Sequence, residues 1–249
     1  MSELLNIYRQ KINAQILYPR FNIQELLTKY KELEFSDLLN LIKIVNQKLV
    51  ILQQQEPRIT QLLTEISSKY ESRLILLDKK FKNPNEIIKK ILKKNKEPVY
   101  DLLRYTIEVP FKNYISAVYH IYIELLQNGF KEIQKKNQNR WQLGDGYQGV
   151  NLILRIGEIY LEIQFHTPES ITTKQAQHPE YKQFMDNQCT WIPQSDEENP
   201  ICKILRKNLL DNESAITNPF SCFPRGCPPL VSNEGLLDEN FPKLISQFQ

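Results

Sequence analysis

The chain has 249 residues, 41% of them hydrophobic, with 32 basic against 29 acidic side chains and a formal net charge of +3. That length and apolar content suffice for one well-buried domain with or without an appendage, and the small net charge does not by itself mark a nucleic-acid binder. No run of about 18 apolar residues is present, which excludes a spanning helix, and the start MSELLNIYRQ lacks the basic end and apolar core of a secretory signal.

Residues 1–78 read as amphipathic helices. Asn22 with Glu25 three positions on resembles a reciprocal N-terminal cap. Ser36 precedes DLLNLIKIVNQKLVIL, with leucine and isoleucine at three- and four-residue steps. Pro57 is expected to interrupt this pattern, with a further helix starting there and carrying ITQLLTEISSKYESRLILL. The texture then changes. Residues 79–96 hold eight lysines (Lys79, Lys80, Lys82, Lys89, Lys90, Lys93, Lys94, Lys96) against Glu86 alone, eight minus one giving a local +7. Within this run Pro84 sits where a first helical turn tolerates it.

YDLLRYTIEV, residues 100–109, is rich in β-branched and aromatic residues and stops at Pro110, so it reads as a strand. A helix follows to about Asn128, then a short strand near 130–134, a polar turn KKNQN, and a strand entering at Trp141. GYQGVNLILRI turns at Gly144 to Gly146 and becomes a strand, and Gly157 with Glu158 makes a hairpin turn into YLEIQFH. There Glu162, Gln164 and His166 alternate with Leu161, Ile163 and Phe165, so one strand face is apolar and the other a polar row. That row is either solvated surface or the floor of a site. Thr167 and Pro168 read as cap and first residue of a helix.

The expected fold is α+β: a mixed sheet of about five strands flanked by helices, with an N-terminal helical subdomain (1–78), a central domain (79–190) and an irregular C-terminal extension (191–249). Cys189, Cys202, Cys222 and Cys227 fit no zinc spacing. They are expected as reduced structural thiols, with a Cys222 to Cys227 disulfide or a weak metal site as alternatives.

Asp101 and Glu162, far apart in sequence but each on a strand, could together hold magnesium, which takes one or two carboxylates and completes its shell with water and phosphate oxygens. The lysine-rich segment upstream could face a triphosphate, and Tyr147 could offer a ring for a base.

In order, KKFKNPNEIIKKI, DLLRYTIEV, GYQG and EIQFHT resemble the synthetase domain of the RelA/SpoT family over roughly residues 70–185. That family moves pyrophosphate from ATP to the 3′-hydroxyl of a guanine nucleotide. The resemblance implies that Lys80, Lys82 and Lys90 handle ATP and that Asp101 binds magnesium. It further implies that Tyr147 stacks on the acceptor base and that Glu162 holds the metal or takes the proton of the attacking hydroxyl. Gln164 and His166 would orient phosphate or sugar beside it.

The family usually carries glycine and arginine where this chain has Arg104 and Thr106, and arginine where it has Lys80. On a regular strand Arg104 would point away from Asp101. FHTPES, with His178 further on, resembles the divergent branch of toxins and effectors, which leaves guanine nucleotides, adenine nucleotides and the tRNA 3′ end as acceptors. An antitoxin, host or oligomeric protein partner is open on the same grounds, membrane association is not expected, and the protein would act in the cytoplasm or as an exported effector. None of His120, His166 and His178 is followed by Asp, so the family's separate hydrolase site is not expected. The reading from another class is a catalytically degenerate domain that binds nucleotide, RNA or protein through its lysine-rich face.

Overall fold

The computed structural model describes residues 21, 26, 28–30, 34–93, 99–133, 138–142, 148–187, 189, 199–214, 216 and 219. The suggested cap at Asn22 and Glu25, Lys94, Lys96, Tyr147, Cys222 and Cys227 lie outside them.

Helix α1, Phe35–Ser68, runs straight through Pro57, contrary to the expected break. The reason is visible in the buried residues: Leu38, Ile42, Val45, Leu49 and Leu52 before the proline and Ile59, Leu63 and Ile66 after it keep one continuous heptad-like stripe. An interior proline costs about 3 kcal/mol, and burying the three large side chains beyond it at roughly 1.5–3 kcal/mol each more than offsets this. The helix ends at Ser68, short of the expected run to residue 77. A turn with Glu71 at φ 54° follows, and Arg73–Ile75 forms strand β1.

Helix α2, Pro84–Lys93, starts where Asn83 Oδ1 accepts the Asn85 N–H at 2.9 Å and buries Ile87 and Ile88. Strand β2, Leu103–Glu108, is followed by α3, Tyr114–Gln127, then β3, Lys131–Glu132, and β4, Gln138–Asn139. Trp141, expected at a strand start, lies in a single 3-10 turn; its indole N–H donates to the Tyr114 hydroxyl at 3.1 Å, and that hydroxyl donates to the Phe165 carbonyl at 2.8 Å. Strands β5, Val150–Ile156, and β6, Ile159–His166, form the expected hairpin, with Gly157 at φ 55° in its two-residue turn. Helix α4, Pro168–Asp186, has the anticipated Thr167 cap, reciprocated by Ser170: the Ser170 N–H donates to Thr167 Oγ1 at 3.2 Å and the Thr167 N–H to Ser170 Oγ at 3.0 Å. Helix α5, Pro200–Ser214, occupies part of the segment expected to be irregular.

The sheet order is β1-β2-β6-β5-β3, with β4 also on β5; only β2 and β6 pair in parallel, so the sheet is mixed and the fold α+β as expected. Tyr105, Ile107, Leu152, Leu154, Leu161, Ile163 and Phe165 share one hydrophobic core with the stripes of α1, α2 and α3. The opposite parity, Arg104 and Thr106 on β2 with Glu162, Gln164 and His166 on β6, forms the other face, where α4 packs against β6. A second, smaller cluster of Phe184, Leu205 and Leu209 joins α4 to α5. Cys189 and Cys202 form a disulfide beside it, replacing the expected free thiols at these two positions. The two cysteines are brought together because α5 folds back on α4, a tertiary contact that no spacing rule encodes. No helix among the described residues is long and apolar enough to cross a membrane.

Candidate active site

The polar row of β6 is buried and not a solvated surface: Glu162 is 8% exposed, Gln164 4% and His166 0%. Its chemistry divides into two groups.

The first group gathers at the start of β2. Phe81 bridges Leu103 in antiparallel sense, the Lys82 N–H donates to the Leu102 carbonyl at 3.0 Å and the Arg104 N–H to the Lys80 carbonyl at 2.7 Å. This clamp lays the basic segment along Asp101, and α2, leaving two residues later, brings Lys90 back over it. Lys82 Nζ reaches Asp101 Oδ2 at 2.5 Å and Lys90 Nζ reaches Oδ1 at 2.7 Å. The backbone bends at Leu102, outside the regular strand, so the alternation that would have turned Arg104 away from Asp101 does not apply. Arg104 Nη2 lies 3.1 Å from Asp101 Oδ2, and its Nε donates to Glu162 Oε2 at 2.5 Å. Arg104 and Glu162 are register partners on the parallel strands β2 and β6. One guanidinium thus joins both predicted carboxylates.

Burial pushes the Asp101 carboxyl up, but the charges and hydrogen bonds of Lys82 and Lys90 outweigh it and hold the group well below the usual carboxylate range. For Lys82, burial lowers the ammonium and Asp101 only partly restores it. The pair is nonetheless ionised, because Asp101 faces three cations whereas Lys82 loses only part of its hydration. Lys80 is not part of this cluster. It pairs at 2.7 Å with Glu56 of α1, which also accepts from Thr60.

The second group lies further along the same face. Lys174 of α4 donates to Gln164 Oε1 at 2.6 Å and to His166 Nε2 at 3.2 Å, while His166 Nδ1 lies 3.1 Å from Ser170 Oγ. An ammonium can only donate, so Nε2 accepts and the ring proton is on Nδ1. Burial first and the Lys174 charge second hold His166 well below the ordinary imidazole range, hence neutral. Gln164 and His166 thus both accept from Lys174. Sequence reasoning missed Lys174 and Ser170, although the two stand four residues apart on one face of α4. His178 is exposed on α4 and is not brought to either group. Tyr147 lies outside the described residues; of those on either side of it, the Arg140 N–H donates to the Gly149 carbonyl at 2.9 Å.

The donor set suits a hard cation that keeps most of its shell as water and phosphate oxygen, since two carboxylates on one face are what such an ion takes from protein. It does not suit an all-protein cage: among the described residues no three His, Cys, Asp or Glu side chains cluster to hold a metal.

No protein-family model and no curated protein matches the sequence. Among solved structures, the chain is similar to the Type VI effector Tas1, solved in complex with its immunity protein, at 21% identity over 69% of this chain and 95% of that one, TM-score 0.44. It is also similar to small alarmone synthetase 2 from Bacillus subtilis (18% identity, 72% and 92% covered, TM-score 0.42). The product-bound small alarmone synthetase 1 of the same organism, with pppGpp, gives 14% identity, 68% and 90% covered, and TM-score 0.46.

Proposed function

We propose that the protein is a magnesium-dependent pyrophosphotransferase, moving the β,γ-pyrophosphate of ATP to a ribose 3′-hydroxyl. The observation that carries this reading is the joining of Asp101 and Glu162 through one guanidinium on a buried sheet face, with two lysines on the same aspartate. Such a reaction asks for positioning and charge neutralisation more than for covalent chemistry. Asp101 and Glu162 would hold magnesium, which when bound supplies charge neutralisation at the phosphates. Lys90 and Arg104 would turn from carboxylate to phosphate oxygens as the triphosphate enters, with Lys82 held beside them on Asp101. Glu162 would accept the proton of the attacking hydroxyl. The bond from the 3′-oxygen to the β-phosphorus forms, the bond from that phosphorus to the α-phosphate oxygen breaks, and AMP leaves. Tyr147 would stack on the acceptor base, as the sequence resemblance implies.

The acceptor class is a nucleotide or RNA end with a free 3′-hydroxyl: GDP or GTP, an adenine nucleotide, or tRNA. The toxin-like FHTPES segment favours an exported effector or toxin with a cognate antitoxin. One observation favours the rival reading of a silent nucleotide-binding module: both oxygens of Asp101 are already engaged by cations of the chain itself. Incubation of the pure protein with magnesium and γ-labelled ATP, offering GDP, GTP, ATP and bulk tRNA side by side, separates the two. The enzyme labels at least one acceptor, and Glu162→Gln abolishes the label; no labelled acceptor with retained ATP binding sustains the rival.

A further inference from the structure

We infer that Arg104 is a placeholder cation: it holds the two carboxylates of the proposed metal pair until a metal–nucleotide complex displaces it, so that divalent ion and triphosphate bind as a unit and not in succession. This rests on the reading of Asp101 and Glu162 as that pair.

The geometry carries the inference in three steps. Arg104 uses two different nitrogens, Nε on Glu162 and Nη2 on Asp101, and so occupies the bridging role that a shared metal ion would take. A bare divalent ion would enter a cluster in which Lys82, Lys90 and Arg104 already set three positive charges against two negative ones. It would have to displace charge-assisted hydrogen bonds and leave a guanidinium without either carboxylate.

A triphosphate changes that balance, because its oxygens accept the same planar donor fork that the carboxylates held. Arg104 also has room to leave. Its side chain is 36% exposed, against 32% for Lys90, 20% for Lys82, 11% for Glu162 and 8% for Asp101. Lys82, the most buried of the three cations, then stays on Asp101 while the arginine exchanges partners. As a positioning residue, Arg104 makes free metal a poor ligand and the metal–nucleotide complex a good one.

The test is a Mn2+ titration of the full chain, read as Mn2+ retained with the protein on equilibrium dialysis, with and without α,β-methylene-ATP, which cannot transfer its pyrophosphate. Wild type is expected to bind Mn2+ weakly alone and tightly with the nucleotide. Arg104→Gln is expected to bind Mn2+ alone roughly tenfold to a hundredfold more tightly than wild type, the worth of one or two charge-assisted hydrogen bonds. Arg104→Lys keeps the charge but cannot bridge, and is expected between the two; it also serves if the glutamine variant does not fold. Tightening without nucleotide is a gain that mere structural damage does not produce. Unchanged nucleotide-free affinity in both variants, with nucleotide-dependent binding intact in wild type, overturns the placeholder role and leaves the proposed function standing. No Mn2+ binding by any of the three proteins, even with the nucleotide, overturns the metal pair itself and the inference with it.

Discussion

Asp101→Asn removes one negative charge at the point where three cations converge, and its cost can be worked from their exposure. Breaking a buried ion pair by neutralising one partner costs about 3–5 kcal/mol, because the other charge stays buried. Only Lys82, with a side chain 20% exposed, approaches that situation; Lys90 at 32% and Arg104 at 36% can turn to water, so their shares fall toward the small values of surface pairs. The expected loss is therefore about 2–3 kcal/mol, or roughly 4–12 °C in midpoint for a chain of this size. Urea unfolding at neutral pH measures it. Adding Lys82→Met should cost less than the sum of the single changes, by about 1 kcal/mol or more, since the stranded ammonium is gone. The acid side gives a second readout. A carboxyl held low in the folded state stabilises above its ordinary value of 3.8 and loses that contribution as pH falls through the window beneath it. The gap between wild type and Asp101→Asn should thus close below that pH. Equal stability of the two proteins at neutral pH, or full additivity with Lys82→Met, would refute the account of Asp101 as the hub of the cluster.

Other consequences follow from the second group and the C-terminal helices. His166 is buried neutral while the unfolded chain protonates near 6.5, so stability should fall by up to about 1.4 kcal/mol per pH unit as pH drops below that value. His166→Asn should flatten this slope in a series of urea titrations between pH 7 and 5. At Gly149 an added Cβ would sit 2.8 Å from His166 Cε1 and 3.0 Å from the Phe165 carbonyl oxygen, so Gly149→Ala should cost about 1–3 kcal/mol in chemical denaturation. Reduction of the Cys189–Cys202 bridge, which spans 13 positions, should lower stability by roughly 2–3 kcal/mol, read as a midpoint shift with and without reductant.

Much of this arrangement is written locally. The alternation of β6, the turn at Gly157, Pro84 and the Thr167–Pro168 start are signalled by residues adjacent to the features they create, and the structure carries them as expected. What is not legible depends on partners distant in the chain. Pro57 looks like a stop to any local rule, and only the in-phase burial of Ile59, Leu63 and Ile66 keeps α1 whole. Arg73–Ile75 becomes a strand because Thr106–Glu108 offers an open edge. The parity argument for Arg104 fails at a bend, Leu102, which takes Asp101 out of the strand's alternation. Lys80 and Lys82 look equivalent in sequence, yet one meets Glu56 of α1 and the other Asp101, a division set by where a helix from the first third of the chain passes. Lys174 was overlooked because its role is defined by what it touches, Gln164 and His166, and not by a motif of its own.

The most direct measurement follows the fate of ATP labelled separately at the α and γ positions, in the presence of magnesium and the accepting nucleotide or RNA. Transfer of pyrophosphate predicts that γ label enters the acceptor while α label appears as AMP in equal amount, and that Glu162→Gln suppresses both by about 10²–10⁴-fold, the range for loss of a general base. Release of ADP in place of AMP, or the same AMP yield from wild type and Glu162→Gln, would contradict it.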